Sequence, residues 1–418
     1  MPIDYTEIAN TYGTPIYIYD YEMFKEQYIR LKDSILPGAE IFYSVKANPL
    51  IGVCQLFQEM GCGMEIASLG ELELAQKAKC PANKIIFTSP GKTYMEISEA
   101  IEQKVEVINI ESMEELEMVE LIAEEKKKIV NVAIRINPNV NNSGSKIKMT
   151  GVSSQFGIDE NEIDASFFKK IDNMKHICLI GIQVYMGTQN LNADDIVANT
   201  RYIIEMALSL SKQYCMDLRY INMGGGFGIA YFKNETDLDM HRLKIGMKEV
   251  YEAYINELKD VRLIFESGRF LTAEAGKYIC KVLYKKVSRD IEYVICDGGS
   301  NFHSASAFLG RFVRNNFPMY TIPENTERVK MNVVGSLCTP SDVIGQQVEI
   351  NKDISVGDLV VIDKSGAYGL THSPLRFLSH ETPIEVLVKY NQSIVLRERG
   401  KAADVLHGQC ALTKYEGF

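Results

Sequence analysis

Eight apolar segments rich in β-branched residues alternate with amphipathic helical patterns, and this alternation constrains the fold more than any other feature of the sequence. The segments lie at 41–45, 63–67, 84–89, 105–110, 130–136, 178–186, 219–223 and 262–267. Strands buried on both faces of a parallel sheet have continuous apolar sequences of this kind. Eight strand–helix units in series predict a closed (β/α)8 barrel, although an open doubly wound sheet has the same local pattern.

The pattern changes after about residue 275, where strand-like segments are separated by turns and helical patterns are few. These segments predict an antiparallel β domain. The segment PIYIYD at 15–20 is also strand-like and precedes the barrel. We therefore expect an α/β protein with the barrel at residues 24–274 and a β domain formed by residues 1–23 and 275–418.

Composition and charge argue against several classes of function. With 46% hydrophobic and 24% charged residues, the chain has the composition of a globular protein. Its net charge of −10 disfavours binding to nucleic acid or to an anionic membrane. Apolar runs stay below the ~18 residues of a membrane span, and the N-terminus lacks a signal-peptide pattern, so we expect a cytoplasmic location. The nine cysteines include no CxxC pair and the six histidines no HExxH spacing, so no metal site is expected.

Polar residues and glycines cluster at the predicted C-terminal strand ends, where barrels of this kind have their active sites. A lysine in an apolar environment can lose its proton and react as a neutral amine, and consecutive glycines let the backbone approach an anion such as phosphate. Each residue alone also has a structural explanation, such as an exposed lysine, a flexible turn or an ion pair. The candidates are Lys46, Glu65, Arg135, Tyr185, Thr188, Gly224, Gly225, Gly226, Glu266 and Arg269.

The predicted β domain adds three turn motifs: CDGG at 296–299, GSLCTPSD at 335–342 and SGAYG at 365–369. Within them, Cys338 is a candidate proton donor, although a buried, inert cysteine is as common. Tyr368 lies close to glycines and is a candidate phosphate ligand, with an ordinary turn tyrosine as the alternative.

The chain resembles, nearly end to end, the fold-type III pyridoxal-phosphate (PLP) decarboxylases, which include diaminopimelate, ornithine and arginine decarboxylases. The shared motifs are YSVKAN, GMEIASLGEL, IRINP, SSQFGI, GTQN, GGGFG, ESGR, CDGG, GSLCTPSD and SGAYG. The resemblance implies an alanine racemase-like barrel with a β domain, PLP as cofactor, amino acid decarboxylation and a homodimer with shared active sites.

The resemblance also implies a role for each candidate. Lys46 forms a Schiff base with PLP, and Glu266 contacts the pyridine nitrogen. Cys338 extends into the site of the partner subunit, and it or Lys46 supplies a proton after decarboxylation. The remaining cofactor contacts are Glu65 and Arg135 below the ring, Tyr185 on its face, and Thr188, Gly224, Gly225, Gly226, Arg269 and Tyr368 at the phosphate.

Three departures from the family pattern concern the substrate. Tyr185 stands where most members have a histidine. Thr339 follows Cys338, where diaminopimelate decarboxylases have a glutamate and ornithine decarboxylases an aspartate. Arg314 is followed four residues later by Pro318 instead of tyrosine. A charged distal end of the substrate is therefore poorly accommodated.

The segments VYMGTQNLN, CTPSD, SGAYGLTHSP and FLGRFVRNNFP are most similar to a subgroup that decarboxylates glutamate tethered to an acyl carrier protein in butirosin-type antibiotic biosynthesis. This similarity implies a carrier protein as partner. Arg311 and Arg314 are then candidates for contacting its phosphopantetheine phosphate, with surface loop arginines as the alternative. The expected substrate-binding residues are Arg269, Arg311, Arg314, Thr339 and Tyr368.

Three other functions remain open. One is a decarboxylase of a free amino acid, with diaminopimelate foremost, which Thr339 disfavours. Another is a PLP-dependent racemase, which Glu266 disfavours because a carboxylate at the pyridine nitrogen makes PLP a strong electron sink. A non-catalytic PLP carrier would not need the long β domain.

Overall fold

The computed structural model describes residues 3–139, 153–307 and 315–412. The candidates Arg311 and Arg314 lie outside these ranges. Within them the chain divides into two compact units, one of residues 23–273 and one of residues 1–22 with 274–418. None of the helices in the described ranges is long and apolar enough to cross a membrane.

Eighteen strands are present in the described residues. In chain order they are β1 (Ile16–Asp20), β2 (Glu40–Ser44), β3 (Gly63–Ile66), β4 (Ile85–Thr88), β5 (Val107–Ile110), β6 (Val130–Asn137), β7 (Ile158–Asp159), β8 (Ile177–Val184), β9 (Tyr220–Asn222), β10 (Arg262–Ser267), β11 (Gly276–Ser288), β12 (Ile291–Cys296), β13 (Met319–Ile322), β14 (Arg328–Val334), β15 (Val343–Asn351), β16 (Leu359–Ile362), β17 (Ile384–Lys389) and β18 (Gln392–Arg397).

The described residues also form ten α-helices, several of which begin at a serine, threonine or aspartate whose side chain accepts a hydrogen bond from the first turn. The helices are α1 (Tyr5–Tyr12), α2 (Tyr21–Lys32), α3 (Ile51–Glu59), α4 (Leu69–Lys77), α5 (Tyr94–Glu102), α6 (Met113–Lys126), α7 (Ala165–Asp172), α8 (Ala193–Tyr214), α9 (Met240–Ala253) and α10 (Arg269–Thr272). Short 3₁₀-helices lie at Val45–Ala47, Ala82–Lys84, Glu160–Glu162, Leu370–His372, Phe377–Ser379 and Ala402–Leu406.

Eight parallel strands close into a barrel in the first unit. Their order is β5-β4-β3-β2-β10-β9-β8-β6, and β6 returns to pair with β5, while the short β7 is attached to β6. All eight predicted strand segments are confirmed, and the closure decides for the barrel over the open sheet.

Apolar side chains fill the barrel interior. Gly63 permits this packing, because a Cβ on it would lie 2.4 Å from the ring of Phe42. The N-terminal end carries charges, since Arg262 pairs with Glu40 and with Glu106. The interior cluster consists of Phe42, Ile86, Val107, Ala133, Ile180, Tyr220 and Ile264.

The second unit is a nine-stranded sheet with the path β15-β14-β12-β11-β1-β17-β18, and β13 and β16 join it at β11. The predicted β domain is confirmed, and PIYIYD enters it as β1, antiparallel to β11. The sheet is mixed and not wholly antiparallel, because β1 pairs parallel with β17 and β12 parallel with β14. Strand pairing between distant segments leaves no local sequence signal, which is why these two pairs were not predicted.

Candidate functional site

Lys46 lies at the C-terminal end of β2, in the 3₁₀-helix that follows it. Its Nζ donates to both carboxylate oxygens of Glu65, at 2.9 and 3.0 Å. Glu65 comes from the adjacent strand β3 and is buried, whereas the Lys46 side chain is 47% exposed. A buried carboxylate thus holds a reachable amine at the end of the barrel.

Glu266 lies on β10, the other neighbour of β2, and is buried. Its Oε1 accepts a hydrogen bond of 2.8 Å from Nδ2 of Asn222 and a longer one of 3.5 Å from Gln183. Burial, followed by the charge of Glu65, raises the pKa of Glu266. The barrel therefore brings an amine and two buried carboxyl groups to neighbouring strand ends.

A third carboxyl group belongs to the same surroundings. Glu71 in α4 accepts a hydrogen bond from the backbone of Ala67 at 2.7 Å. Burial and the charge of Glu65 raise the pKa of Glu71 to about 7. Glu71 was not among the predicted site residues, although it lies within the GMEIASLGEL motif.

Arg135 on β6 is held by a buried ion pair, in which its Nη1 donates to Glu111 at 2.8 Å. Two residues of the SSQFGI motif complete this arrangement. The Phe156 ring lies under the guanidinium at 4.8 Å, and the Gly157 amide donates to Glu111 at 3.2 Å. Arg135 is therefore fixed from both sides.

Glu111 is itself held by a buried cation–carboxylate pair. Its amide donates to Glu115 at 2.7 Å, and Glu115 pairs with Lys92. Nζ of Lys92 also donates to the carbonyls of Asn109 at 2.7 Å and Ser89 at 2.8 Å. Burial lowers the pKa of Lys92 despite this pairing. Neither Glu111 nor Lys92 was predicted, because the sequence around each is indistinguishable from that around an exposed charged residue.

The three glycines after β9 form a tightly packed turn. Gly224 and Gly226 have φ angles of +61° and +105°. A Cβ on Gly225 would lie 2.3 Å from the Glu266 carbonyl oxygen, and one on Gly226 would lie 2.2 Å from that of Gly187. The loop is therefore closely packed against β10 and the segment that follows β8.

The loop that contains Tyr185 and Thr188 pairs with the glycine turn. The Asn190 amide donates to the Gly226 carbonyl at 2.8 Å. A Cβ on Gly224 would lie 2.9 Å from the Tyr185 ring, so the ring lies directly against the turn. The GTQN and GGGFG motifs thus form one hydrogen-bonded rim, a pairing that the local sequence of the two loops did not indicate.

Arg269 begins α10 immediately after Gly268 of the ESGR motif. A Cβ on Gly268 would lie 2.6 Å from that of Ala47, so the motif packs on the turn that carries Lys46. The Arg269 Nη1 donates to the Tyr231 hydroxyl at 3.4 Å. All the candidates on the barrel, from Lys46 to Arg269, therefore lie at the same end of their strands.

Cys338 and Thr339 lie on an exposed turn of the second unit. Hydrogen bonds to Asp342, which was not among the predicted site residues, hold the backbone beside this turn. The buried carboxylate of Asp342 accepts from the amides of Ser300 at 2.7 Å and Leu337 at 2.9 Å. The glycines of CDGG and GSLCTPSD make room for it, because a Cβ on Gly299 or Gly335 would lie 2.3 Å from this carboxylate. Cys338 is exposed and not buried, and its role as a proton donor stays a prediction.

Tyr368 has a φ of +54°, which is uncommon for a residue other than glycine. Its ring meets that of His372 edge-on, with centroids 6.2 Å apart. Such a backbone persists only where its surroundings enforce it. The phosphate contact expected of Tyr368 stays a prediction.

The family model for the pyridoxal binding domain of pyridoxal-dependent decarboxylases matches residues 22–273. The chain belongs to this family. The L-glutamyl-[BtrI acyl-carrier protein] decarboxylase of Niallia circulans is 39% identical to this decarboxylase over 414 residues, which cover 97% of this chain and 95% of the relative. Diaminopimelate decarboxylase of Campylobacter jejuni is 29% identical over 405 residues, covering 96% and 97%.

A solved structure, diaminopimelate decarboxylase from M. jannaschii, matches with a TM-score of 0.90 at 28% identity and covers 98% of this chain and 94% of that one. The comparisons confirm the predicted family, the barrel with its β domain, PLP as cofactor and decarboxylation as the activity. The roles of individual residues remain predictions.

Proposed function

We propose that this decarboxylase removes the α-carboxylate of an L-glutamyl group tethered through its side chain to an acyl carrier protein. The observation that carries the proposal is the 39% identity, over 97% of the chain, with a decarboxylase named for that substrate. Thr339 supports it, because a tethered side chain has no distal charge that a carboxylate at this position would neutralise.

The chemistry of the residues at the barrel end supports a PLP site there. Bound PLP supplies an electron sink for the electrons that the departing carboxylate leaves at the α-carbon. We assign the covalent bond to Lys46, whose half-exposed amine Glu65 holds in place. We propose that Glu266 contacts the pyridine nitrogen of PLP, because a buried carboxyl group with a raised pKa can share a proton with a ring nitrogen.

We propose that Thr188 and the glycine turn of the rim bind the phosphate of PLP, together with Arg269. Glycines let backbone amides approach an anion closely, and the packing of Gly225 against Glu266 keeps the turn in place. The Arg269 guanidinium adds a positive charge. The family resemblance alone assigns Tyr368 to the phosphate and the Tyr185 ring to the face of the cofactor.

Two groups are assigned to proton transfer after the carboxylate leaves. Lys46 can return a proton to the α-carbon from its amine. Cys338 can do so from an exposed turn fixed by Asp342. We further propose a homodimer in which Cys338 of one subunit serves the site of the other, since its exposure leaves the thiol accessible to a second chain. The cytoplasmic location stays a prediction.

Release of carbon dioxide from a panel of substrates tests the proposal. The panel contains free glutamate, diaminopimelate, lysine, ornithine, glutamyl pantetheine thioester and glutamate tethered to a carrier protein. Release from the tethered forms alone is expected. Release from a free amino acid alone would overturn the assignment of the substrate while leaving the PLP chemistry intact.

Diaminopimelate is the second candidate substrate, favoured by the TM-score of 0.90 with a diaminopimelate decarboxylase. The same panel separates the two. Thr339→Glu restores the residue that the resemblance associates with diaminopimelate, and it should not enhance activity on the tethered glutamyl group. A wild-type enzyme that releases carbon dioxide from diaminopimelate would mean that Thr339 does not exclude a charged distal end.

A further inference from the structure

Asn222, the last residue of β9, makes hydrogen bonds inside the barrel through both the nitrogen and the oxygen of its side-chain amide. It is fully buried. Its Nδ2 donates to Oε1 of Glu266 at 2.8 Å and to the Tyr220 hydroxyl at 2.9 Å. Its Oδ1 accepts from the Gly224 amide at 2.8 Å. One side chain therefore connects the buried carboxyl group to the glycine turn.

The orientation of this amide is determined by its partners. The Gly224 N–H is a donor and requires the amide oxygen, which leaves only the NH₂ group to face Glu266. Oε1 of Glu266 must then accept, and any proton on this carboxyl group is carried by Oε2. The backbone strengthens the connection, because the Glu266 amide donates to the Gly224 carbonyl at 2.7 Å.

We propose that Asn222 is a positioning residue that fixes Oε1 of Glu266 to the glycine turn and so presents Oε2 to the ring nitrogen of the cofactor. This inference rests on the proposed function, in which Glu266 serves the ring nitrogen and the glycine turn the phosphate. Asn222 thereby sets the spacing between the two ends of the cofactor that are not bonded to Lys46.

The same hydrogen bond supports the charge on Glu266. Burial and Glu65 both favour the neutral form of this carboxyl group, whereas donation from Asn222 favours the ionised form. Loss of the donor would leave less negative charge at the ring nitrogen. The electron sink that PLP supplies would weaken without any loss of contact at the phosphate.

Asn222→Asp separates these two links. Aspartate keeps an acceptor for the Gly224 amide but loses the donor to Glu266 and adds a like charge beside it. We expect kcat to fall about tenfold or more, as for a lost hydrogen bond to a charged group, with KM changing less than about threefold because substrate contacts are unaltered. The pH at which the visible absorbance of bound PLP changes should shift by about one unit.

Tyr220→Phe is the matched control, because it removes the other partner of Nδ2 and leaves the link to Glu266 intact. It should retain the wild-type absorbance profile and kcat. Asn222→Asp with an unchanged absorbance profile and kcat would overturn the proposal. A wild-type protein without a visible PLP band would instead overturn the proposed function from which this inference starts.

The double variant Asn222→Asp/Glu266→Gln covers failure of the single variant to fold. It reverses donor and acceptor, so that the amide introduced at position 266 donates to the new carboxylate at position 222. The double variant should therefore unfold at higher urea concentration than Asn222→Asp alone. Equal or lower resistance to urea would show that the two side chains are not coupled and would overturn the proposal.

Discussion

Gly225→Ala should disrupt the glycine turn without introducing any polar change. The added Cβ would lie 2.3 Å from the Glu266 carbonyl oxygen, whereas ordinary contacts of a Cβ lie at 3.4–4 Å. The turn must therefore move away from β10 by about 1 Å, and overpacking of this kind costs about 1–3 kcal/mol. Because the turn is assigned to the phosphate, a shift of about 1 Å would misplace the bound cofactor and lower the catalytic rate by about 100-fold.

Gly91→Ala is the matched control, because its Cβ would meet nothing within 4 Å in an exposed turn. Urea unfolding of the two apoproteins measures the cost of the methyl group, and titration of PLP absorbance measures the effect on cofactor affinity. We expect Gly91→Ala to behave as wild type. Gly225→Ala with wild-type stability and PLP affinity would refute the assignment of this turn to the phosphate.

Three further predictions concern stability and the Cys338 turn. Arg135→Met should destabilise the protein by about 3 kcal/mol because it leaves Glu111 buried without its cation. Arg242→Met, at an exposed surface pair, should leave urea unfolding nearly unchanged because solvent screens that pair, and equal costs for the two variants would contradict this difference. Burial lowers the pKa of His303 from 6.5 to about 4, so the unfolded chain binds this proton first as the pH falls. Protonation of His303 should then remove about 2 kcal/mol of stability between pH 7 and 5 relative to a His303→Phe variant measured over the same range. Two proteins with the same pH dependence would contradict the prediction. Asp342→Asn places an amide donor against one of two backbone donors and should cost about 1–3 kcal/mol; it should also change the rate at which a thiol reagent modifies Cys338, and an unchanged rate would show that Asp342 does not fix this turn.

Much of the barrel could be predicted because its strands are buried on both faces. Segments such as VNVAIRI and RLIFES are mostly apolar, and the structure places them in β6 and β10, which are buried along nearly their whole length. The pairing of β1 with β17 could not be predicted, because these strands are more than 360 residues apart and their apolar pattern permits either direction. Local sequence thus indicated the elements, and long-range packing decided their neighbours.

The candidate site was predictable where a residue type carries chemistry on its own. Lys46 and Glu266 stand out as polar groups at the ends of apolar strands. Asn222 and Asp342 do not, because their importance lies in backbone amides that they bind across the fold. Their place in the sequence was the one signal that could have identified them. Asn222 lies two residues before GGGFG, and Asp342 is the last residue of GSLCTPSD.

Covalent trapping of PLP tests the central claim most directly. The wild-type protein is incubated with PLP, reduced with borohydride, digested and analysed by mass spectrometry for the modified lysine. The structure predicts modification of Lys46, which Glu65 holds at the open end of the barrel. Loss of the label in Lys46→Ala should accompany loss of the visible absorbance band. A label on another lysine, or none at all, would contradict the assignment of this site to PLP.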